Sequence, residues 1–227
     1  MNVISIGTDQ QLFSPGSPTR ERILSYGALT RELHIVVLTV GTNFLAEHVD
    51  NVFLYPTNSW TRFGAFVSGF FIARRIVRAR GFRAVDSLIT VQDPFEVGLL
   101  GFLVRIFTNL PLELQIHTTF FSPYFISASL RPRLQAMIAR WLIPRANHVR
   151  VVSRRIADYC ATALGVPASR MTRVPIFTNI VTKSIVSPVV SLKQRYPQFD
   201  QIILMASRLT HEKRIDVALC AFAELRE

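Results

Sequence analysis

Residues 85–117 read VDSLITVQDPFEVGLLGFLVRIFTNLPLELQIH. Val85–Val91 is a short apolar run rich in β-branched residues, which predicts a buried strand. Asp93-Pro94 interrupts it, and Phe95–Phe107 then follows as a helix. Leu112–Ile116 is a second strand, and it ends on His117-Thr118-Thr119. A strand, a helix and a strand joined by short loops belong to a parallel sheet with helices packed on its faces.

The same alternation extends in both directions. Upstream, Asn2–Gly7 reads as a strand and the polar loop 10–18 follows. Thr19–Leu33 has a helical period with Ile23, Tyr26, Leu29 and Leu33 on one face. His34–Val40 and Asn51–Tyr55 are strands. Trp60–Arg80 is the clearest helix, with Phe63, Phe66, Val67, Phe70 and Phe71 as its apolar stripe and Gly81 as its stop. Downstream come a helix over Leu130–Ile143 and a strand over His148–Val152. A helix over Ser153–Leu164, capped by Ser153 and ended by Gly165, precedes a strand over Met171–Pro175. Periodicity then lapses between 176 and 200, where Pro188 and Pro197 fall. Gln201–Ala206 resumes as a buried strand and Ile215–Arg226 as a helix. The expected organisation is α/β: a Rossmann-like domain over residues 1–178 with helices on both faces of its sheet, a linker over 179–200, and the first strand–helix unit of a second domain over 201–227.

Composition narrows the function classes. Of 227 residues 49% are hydrophobic and 17 are Phe, which excludes a disordered chain. The two cysteines, Cys160 and Cys220, lie in apolar helical patterns and read as reduced, buried thiols. No basic leader precedes the first apolar run, and no apolar stretch reaches the roughly 20 residues of a membrane span. The expected location is the cytoplasm. The net charge of +11 is uneven: no acid occurs between Asp50 and Asp86 or between Glu113 and Asp158, while arginines cluster in both stretches. Such fields favour anionic partners.

In open parallel sheets, ligands bind outside the carboxyl ends of the strands. That rule selects Gly16 in the loop Ser14–Pro18, Asp93, His117 with Thr118, and Asn179 with Thr178. The loop leads into a helix start, where free backbone N–H groups favour an anion, although a Pro/Gly/Ser turn also serves simply as a turn. Asp93 is either an N-cap or a site residue. His117 is either a satisfied structural histidine or a donor to a sugar hydroxyl or phosphate oxygen. No G-x-G-x-x-G, G-x-S-x-G or zinc-spaced cluster occurs, so no dinucleotide, serine-hydrolase or metal chemistry is expected, and no cofactor.

The sharpest chemical signal is Ile202–Asp216, IILMASRLTHEKRID. An apolar strand delivers Arg208 and a tight turn delivers Lys213 at a helix start, so that a guanidinium and an ammonium can clamp a diphosphate. This segment resembles the motif that opens the second domain of family 4 glycosyltransferases: an apolar strand, a small residue, Arg-Leu, polar residues and Lys, then an apolar helix. Val151–Ile156, Leu164-Gly165-Val166-Pro167 and Arg173–Asn179 resemble that family's link region. His117 matches a position that contacts the donor or the reacting sugar.

The resemblance implies the GT-B architecture of two Rossmann-like domains facing across a cleft, and transfer of a hexosyl unit from a nucleotide sugar with retention and without an essential metal. It implies that Arg208 and Lys213 hold the donor diphosphate, that Gly16 lets backbone approach the reacting groups, and that His117 orients the transferred sugar. It also implies a glycan or lipid-linked acceptor and work at the inner face of an anionic membrane, where polybasic segments gain roughly 1 kcal/mol per cation. The apolar stripes beside those arginines read equally as the core faces of surface helices. The N-terminal loop carries one glycine where the family often has two adjacent. The family's paired glutamates belong beyond Glu227, so the 227-residue chain alone is expected to turn over poorly. A basic non-enzymatic binding module and a GT-B nucleotide-sugar epimerase are the competing readings; no recognition helix or aromatic RNA-binding motif points to nucleic acid.

Overall fold

The computed structural model describes residues 1–127, 129–175, 191–210 and 213–224. The chain divides into two compact units, Met1–Pro175 and Ile176–Glu227.

The first unit is built on strands β1 (Asn2–Gly7), β2 (Glu32–Val37), β3 (Glu47–Val49), β4 (Val52–Pro56), β5 (Ser87–Val91), β6 (Leu112–Ile116), β7 (His148–Val151) and β8 (Met171–Arg173). They form one sheet in the order β3-β4-β2-β1-β5-β6-β7-β8. Every neighbouring pair is parallel except β3 with β4. The β5–β6 register sets Ile89 beside Leu112 and Val91 beside Leu114, so the apolar side chains of the two strands share one face. The helices of this unit are α1 (Pro18–Gly27), α2 (Arg62–Arg80), α3 (Glu96–Thr108), α4 (Pro123–Ser127), α5 (Leu130–Leu142) and α6 (Arg154–Thr162).

Two apolar clusters flank the sheet. On one face Val3, Leu33, Ile35, Val37, Val52 and Leu54 pack with Ile23 and Leu24 of α1. On the other, Ile4, Ile6, Ile89, Leu112, Leu114 and Val149 pack under α2, α3, α5 and α6. Glycines bring α3 close to the sheet: a Cβ on Gly101 would lie 2.5 Å from Val91 Cγ1. Strands β6 and β7 alternate apolar with polar residues, Leu-Glu-Leu-Gln-Ile and His-Val-Arg-Val, so only one of their faces contributes to the apolar core.

Several elements differ from expectation for physical reasons. The first helix ends at Gly27, and Leu33 belongs to β2. The Asn51 amide donates to the carbonyls of Gly27 at 2.7 Å and Thr30 at 2.9 Å, which closes the helix end and leaves Tyr26 and Leu29 exposed. The antiparallel β3 has no alternating pattern of its own; it is held by β4 across a turn in which Asp50 takes φ 53°. In α2 the buried stripe is Ala65, Gly69, Ala73, Ile76 and Val77, while Phe63 and Phe71 point outward. Small residues let this helix approach the sheet, Phe66 and Phe70 pack half-buried against the core, and Phe63 and Phe71 are left outside.

The second unit contains α7 (Leu192–Arg195) and α8 (Ile215–Glu224). The expected buried strand over Gln201–Ala206 is not formed: these residues have no regular secondary structure and are exposed. A parallel strand is held by hydrogen bonds to neighbours on its edges, and none of the described strands pairs with this segment. Cys220, expected to be buried, is exposed, whereas Cys160 is buried and its thiol is pushed up to about 11 by that burial.

Candidate functional site

The carboxyl ends of β1, β5 and β6 lie side by side and carry the rim residues of the first unit. Gly7 ends β1, and a Cβ there would lie 2.2 Å from Gln92 Oε1. The missing side chain thus leaves room for Gln92, whose Oε1 accepts from the Thr8 backbone N–H at 3.2 Å and ties the two strand ends together.

Gly16 adopts φ +74° with open space around its Cα, so the backbone conformation and not crowding calls for glycine. Ser17 next to it caps α1: its Oγ accepts from Arg20 N at 3.2 Å and donates to Gln11 O at 2.6 Å, and Pro18 occupies the first helical position.

Asp93 follows β5, and its Oδ1 accepts from Phe95 N at 2.8 Å. Burial pushes its carboxyl up to about 6, and Glu96 adds to the rise; the backbone amides of Phe95 and Val97 and the guanidinium of Arg131 oppose it. A carboxyl whose folded pKa is raised stabilises the fold fully below its unfolded pKa, and that contribution is lost as pH rises through the folded value. Asp93→Asn keeps the acceptor for Phe95 N and removes the buried charge. The variant is expected to match wild type at pH 4 and to exceed it by on the order of 2 kcal/mol at pH 8, read from urea midpoints at the two pH values.

His117 ends a polar ladder on the face of β6 opposite the large apolar cluster. Its Nε2 is hydrogen-bonded to Gln115 Oε1 at 3.3 Å; Gln115 Nε2 donates to Thr90 Oγ1 at 2.9 Å, and Thr90 Oγ1 donates to Glu113 Oε1 at 3.0 Å. The ring edge is open to solvent, yet the surrounding protein desolvates it and Arg150 repels a proton, so its pKa is lowered and the imidazole is neutral at pH 7. In a neutral ring whose Nε2–H donates to Gln115 Oε1, Nδ1 is left as an acceptor for a hydroxyl group. Thr118 is exposed beside it, and its carbonyl accepts from Phe120 N at 2.9 Å, which starts the turn that buries Phe120. The ladder members Thr90, Glu113 and Gln115 were not singled out from sequence. Their signal was present in the period-two spacing of Glu113, Gln115 and His117.

In the second unit, Arg208 and Lys213 are exposed; Thr210 N donates to Arg208 O, and Lys213 N to Thr210 O, each at 2.9 Å. Lys213 stands just before α8. Asn179 and Thr178 lie outside the described residues. The structure brings together the Gly7, Gln92, Asp93 and His117 positions at one sheet edge, while Arg208 and Lys213 belong to the second unit. Among the described residues no group of three or more His, Cys, Asp or Glu is placed to hold a metal ion. His34, buried on β2, is hydrogen-bonded to Tyr55 Oη and Glu32 and stacked on Phe53, a satisfied core histidine.

Comparison with solved structures finds a shared fold at low identity in one case. The chain is similar to a sucrose-phosphate synthase structure from Thermosynechococcus elongatus, with 16% identity, TM-score 0.55, and coverage of 79% of this chain and 91% of that one. It also matches the UDP-GlcNAc 2-epimerase from Methanocaldococcus jannaschii at 11% identity, TM-score 0.48 and 77% coverage of this chain. A third match is LpCGTa in complex with UDP, at 9% identity, TM-score 0.45 and 79% coverage. The matches span 45% and 55% of those two chains. No curated protein sequence matches significantly. The family model described as Glycosyltransferase Family 4 matches residues 26–180, which is more than half of the chain and includes Asp93, His117 and the β5–β8 half of the sheet. The chain belongs to glycosyltransferase family 4.

Proposed function

We propose that the protein transfers a hexosyl unit from a nucleotide sugar to a glycan or lipid-linked acceptor, with retention of anomeric configuration. Residues 1–178 form the acceptor-side domain, 179–200 the linker and 201–227 the opening of the donor-side domain. Arg208 and Lys213 hold the donor diphosphate and stabilise the charge that develops on it as the glycosidic bond breaks, a role for which preorganised cations suffice. His117, neutral and positioned by Gln115, orients the transferred sugar. Gly16, Asp93, Thr118 and Asn179 belong to the loops that meet donor and acceptor. The protein works in the cytoplasm, at the inner face of the membrane.

The observation that supports this reading most directly is the family match over the domain whose strand ends carry His117 and Asp93. The test is transfer by the natural protein from a panel of UDP-, GDP- and ADP-hexoses to glycan and lipid-linked acceptors. Transfer with retention, followed by NMR at the anomeric carbon, is the expected result. Inversion would remove the retaining mechanism, and failure with every donor would remove the transferase reading.

A further inference from the structure

The rim that carries Gly7, Asp93 and His117 continues past β1 onto the carboxyl ends of β2 and β4, where two loops are tied to each other. Thr57 Oγ1 accepts from Thr39 N at 2.8 Å and donates to Thr39 O at 3.0 Å, and Gly41 N donates to Ser59 O at 2.9 Å. The Asn58 amide makes the longer reach. Its Oδ1 accepts from Thr42 Oγ1 at 3.0 Å and from Phe44 N at 3.2 Å, and its Nδ2 donates to Phe44 O at 2.7 Å. Asn58 holds φ 45°, in the left-handed region that asparagine enters more readily than most residues. Phe44 in turn stacks on Phe13 at 4.6 Å, and Phe13 ends the short turn ahead of Gly16. The loops after β1, β2 and β4 therefore form one fixed wall.

On that wall Trp60 is 96% exposed, although Ser59 before it is buried. Thr61 after it caps α2, its Oγ1 accepting from Gly64 N at 3.0 Å, so the backbone is held on both sides of the ring. Val40, Leu45 and Phe63 of the same loops are exposed as well. A rigid indole offered to solvent by fixed backbone loses little freedom when a ligand lies on it. Its π face is electronegative and attracts the electropositive C–H face of a pyranose ring. Adjacent strands stand about 4.8 Å apart, so the end of β4 is four spacings, or roughly 19 Å, from the end of β6 at His117. A single sugar ring cannot reach across that span.

From this juxtaposition we infer that the acceptor is an extended glycan lying along the rim, with its reacting end at His117 and an outer pyranose stacked on Trp60. Asn58 is a positioning residue that acts through the two loops it joins. The inference rests on the sugar transfer proposed above and narrows its acceptor to a chain of several sugar units. An acyl chain is the poorer occupant of this wall, because Thr39, Thr42, Asn58, Ser59 and Thr61 make the loops polar, and hydroxyl-rich ligands match such a setting.

The test is fluorescence titration of the Trp141→Phe protein, in which Trp60 is the only tryptophan left. The probes are glucose, mannose and N-acetylglucosamine, and the tetrasaccharides maltotetraose, mannotetraose and chitotetraose. At least one tetrasaccharide is expected to change Trp60 emission and to bind about tenfold or more tighter than its monosaccharide. By calorimetry, Trp60→Ala should weaken that tetrasaccharide about tenfold or more, and Trp60→Phe should recover part of the loss. Asn58→Ala should weaken it about fivefold and lower the fluorescence anisotropy of Trp60, which a purely structural role elsewhere in the fold would not do. No response to any of these sugars, equal affinity for monosaccharide and tetrasaccharide, a Trp60→Ala variant that binds as wild type, or a Trp60 shielded from acrylamide would overturn the inference. So would a stronger response to dodecyl maltoside than to maltotetraose, which would assign the ring to an acyl chain. Sugar transfer by a protein whose Trp60 ignores every sugar sinks the stacking platform and spares the transferase; sugar binding at Trp60 without transfer does the reverse.

Discussion

Replacing Arg208 by alanine in the natural protein is expected to lower kcat/KM for sugar transfer about 10²–10³-fold, the usual cost of removing one preorganised group that stabilises charge on a leaving group. The loss follows from the proposed chemistry. As the bond to the sugar breaks, negative charge collects on the nucleotide diphosphate, and a guanidinium can meet two of its oxygens at once. Lys213→Ala should cost a similar amount, and Arg208→Lys should recover only part of the activity, because an ammonium is a point charge and not a fork. The double variant should fall short of the product of the two single losses, since both cations act on one phosphate group. Arg208 and Lys213 are exposed, so neither change should alter the fold. A double variant that keeps transfer within a few-fold of wild type would remove the diphosphate clamp while leaving the family and fold untouched.

The largest expected effect on stability lies in the sheet. Leu114 of β6 is fully buried and packs beneath α3, where a Cβ on Gly98 would come within 3.5 Å of its Cδ2. Leu114→Ala removes buried methyl groups and leaves a cavity that the close approach of α3 prevents from collapsing. The expected cost is about 3 kcal/mol, equivalent to a fall in Tm of roughly 10 °C for a domain of this size. Leu134→Ala on the outer stripe of α5 removes the same atoms from an exposed position and should change stability by no more than about 0.5 kcal/mol. Thermal and urea unfolding of the two variants side by side would check both. Comparable losses would mean that Leu134 is covered in solution.

The order of elements was legible because strand and helix periods differ so clearly in segments such as 85–117. Leu112–Ile116 is a strand over the same residues in sequence and structure, and Ser153 caps α6 as its position before the helix implies: its Oγ accepts from Ile156 N at 3.3 Å. Element ends were less legible. The helical period of the first helix runs six residues past its end because Leu33 continues it, and the Asn51 amide, which arrives from a distant loop, closes the helix at Gly27. The apolar run at 201–206 looks like a strand because its composition suits one, yet strand formation depends on partners that composition does not supply.

The sequence by itself determined the α/β class, the parallel run of strands and the placement of His117 and Asp93 at strand ends, since periodicity and turn residues are local properties. It also held the family likeness in Val151–Asn179, within the residues 26–180 that the family model matches. Only the tertiary structure decided the strand order β3-β4-β2-β1-β5-β6-β7-β8, the polar ladder that positions His117, and which apolar stripe of α2 and α5 faces the core. The physical reason is that burial is a property of what a surface packs against. A helix with two apolar faces, such as α5, does not record in its own residues which face will meet the sheet.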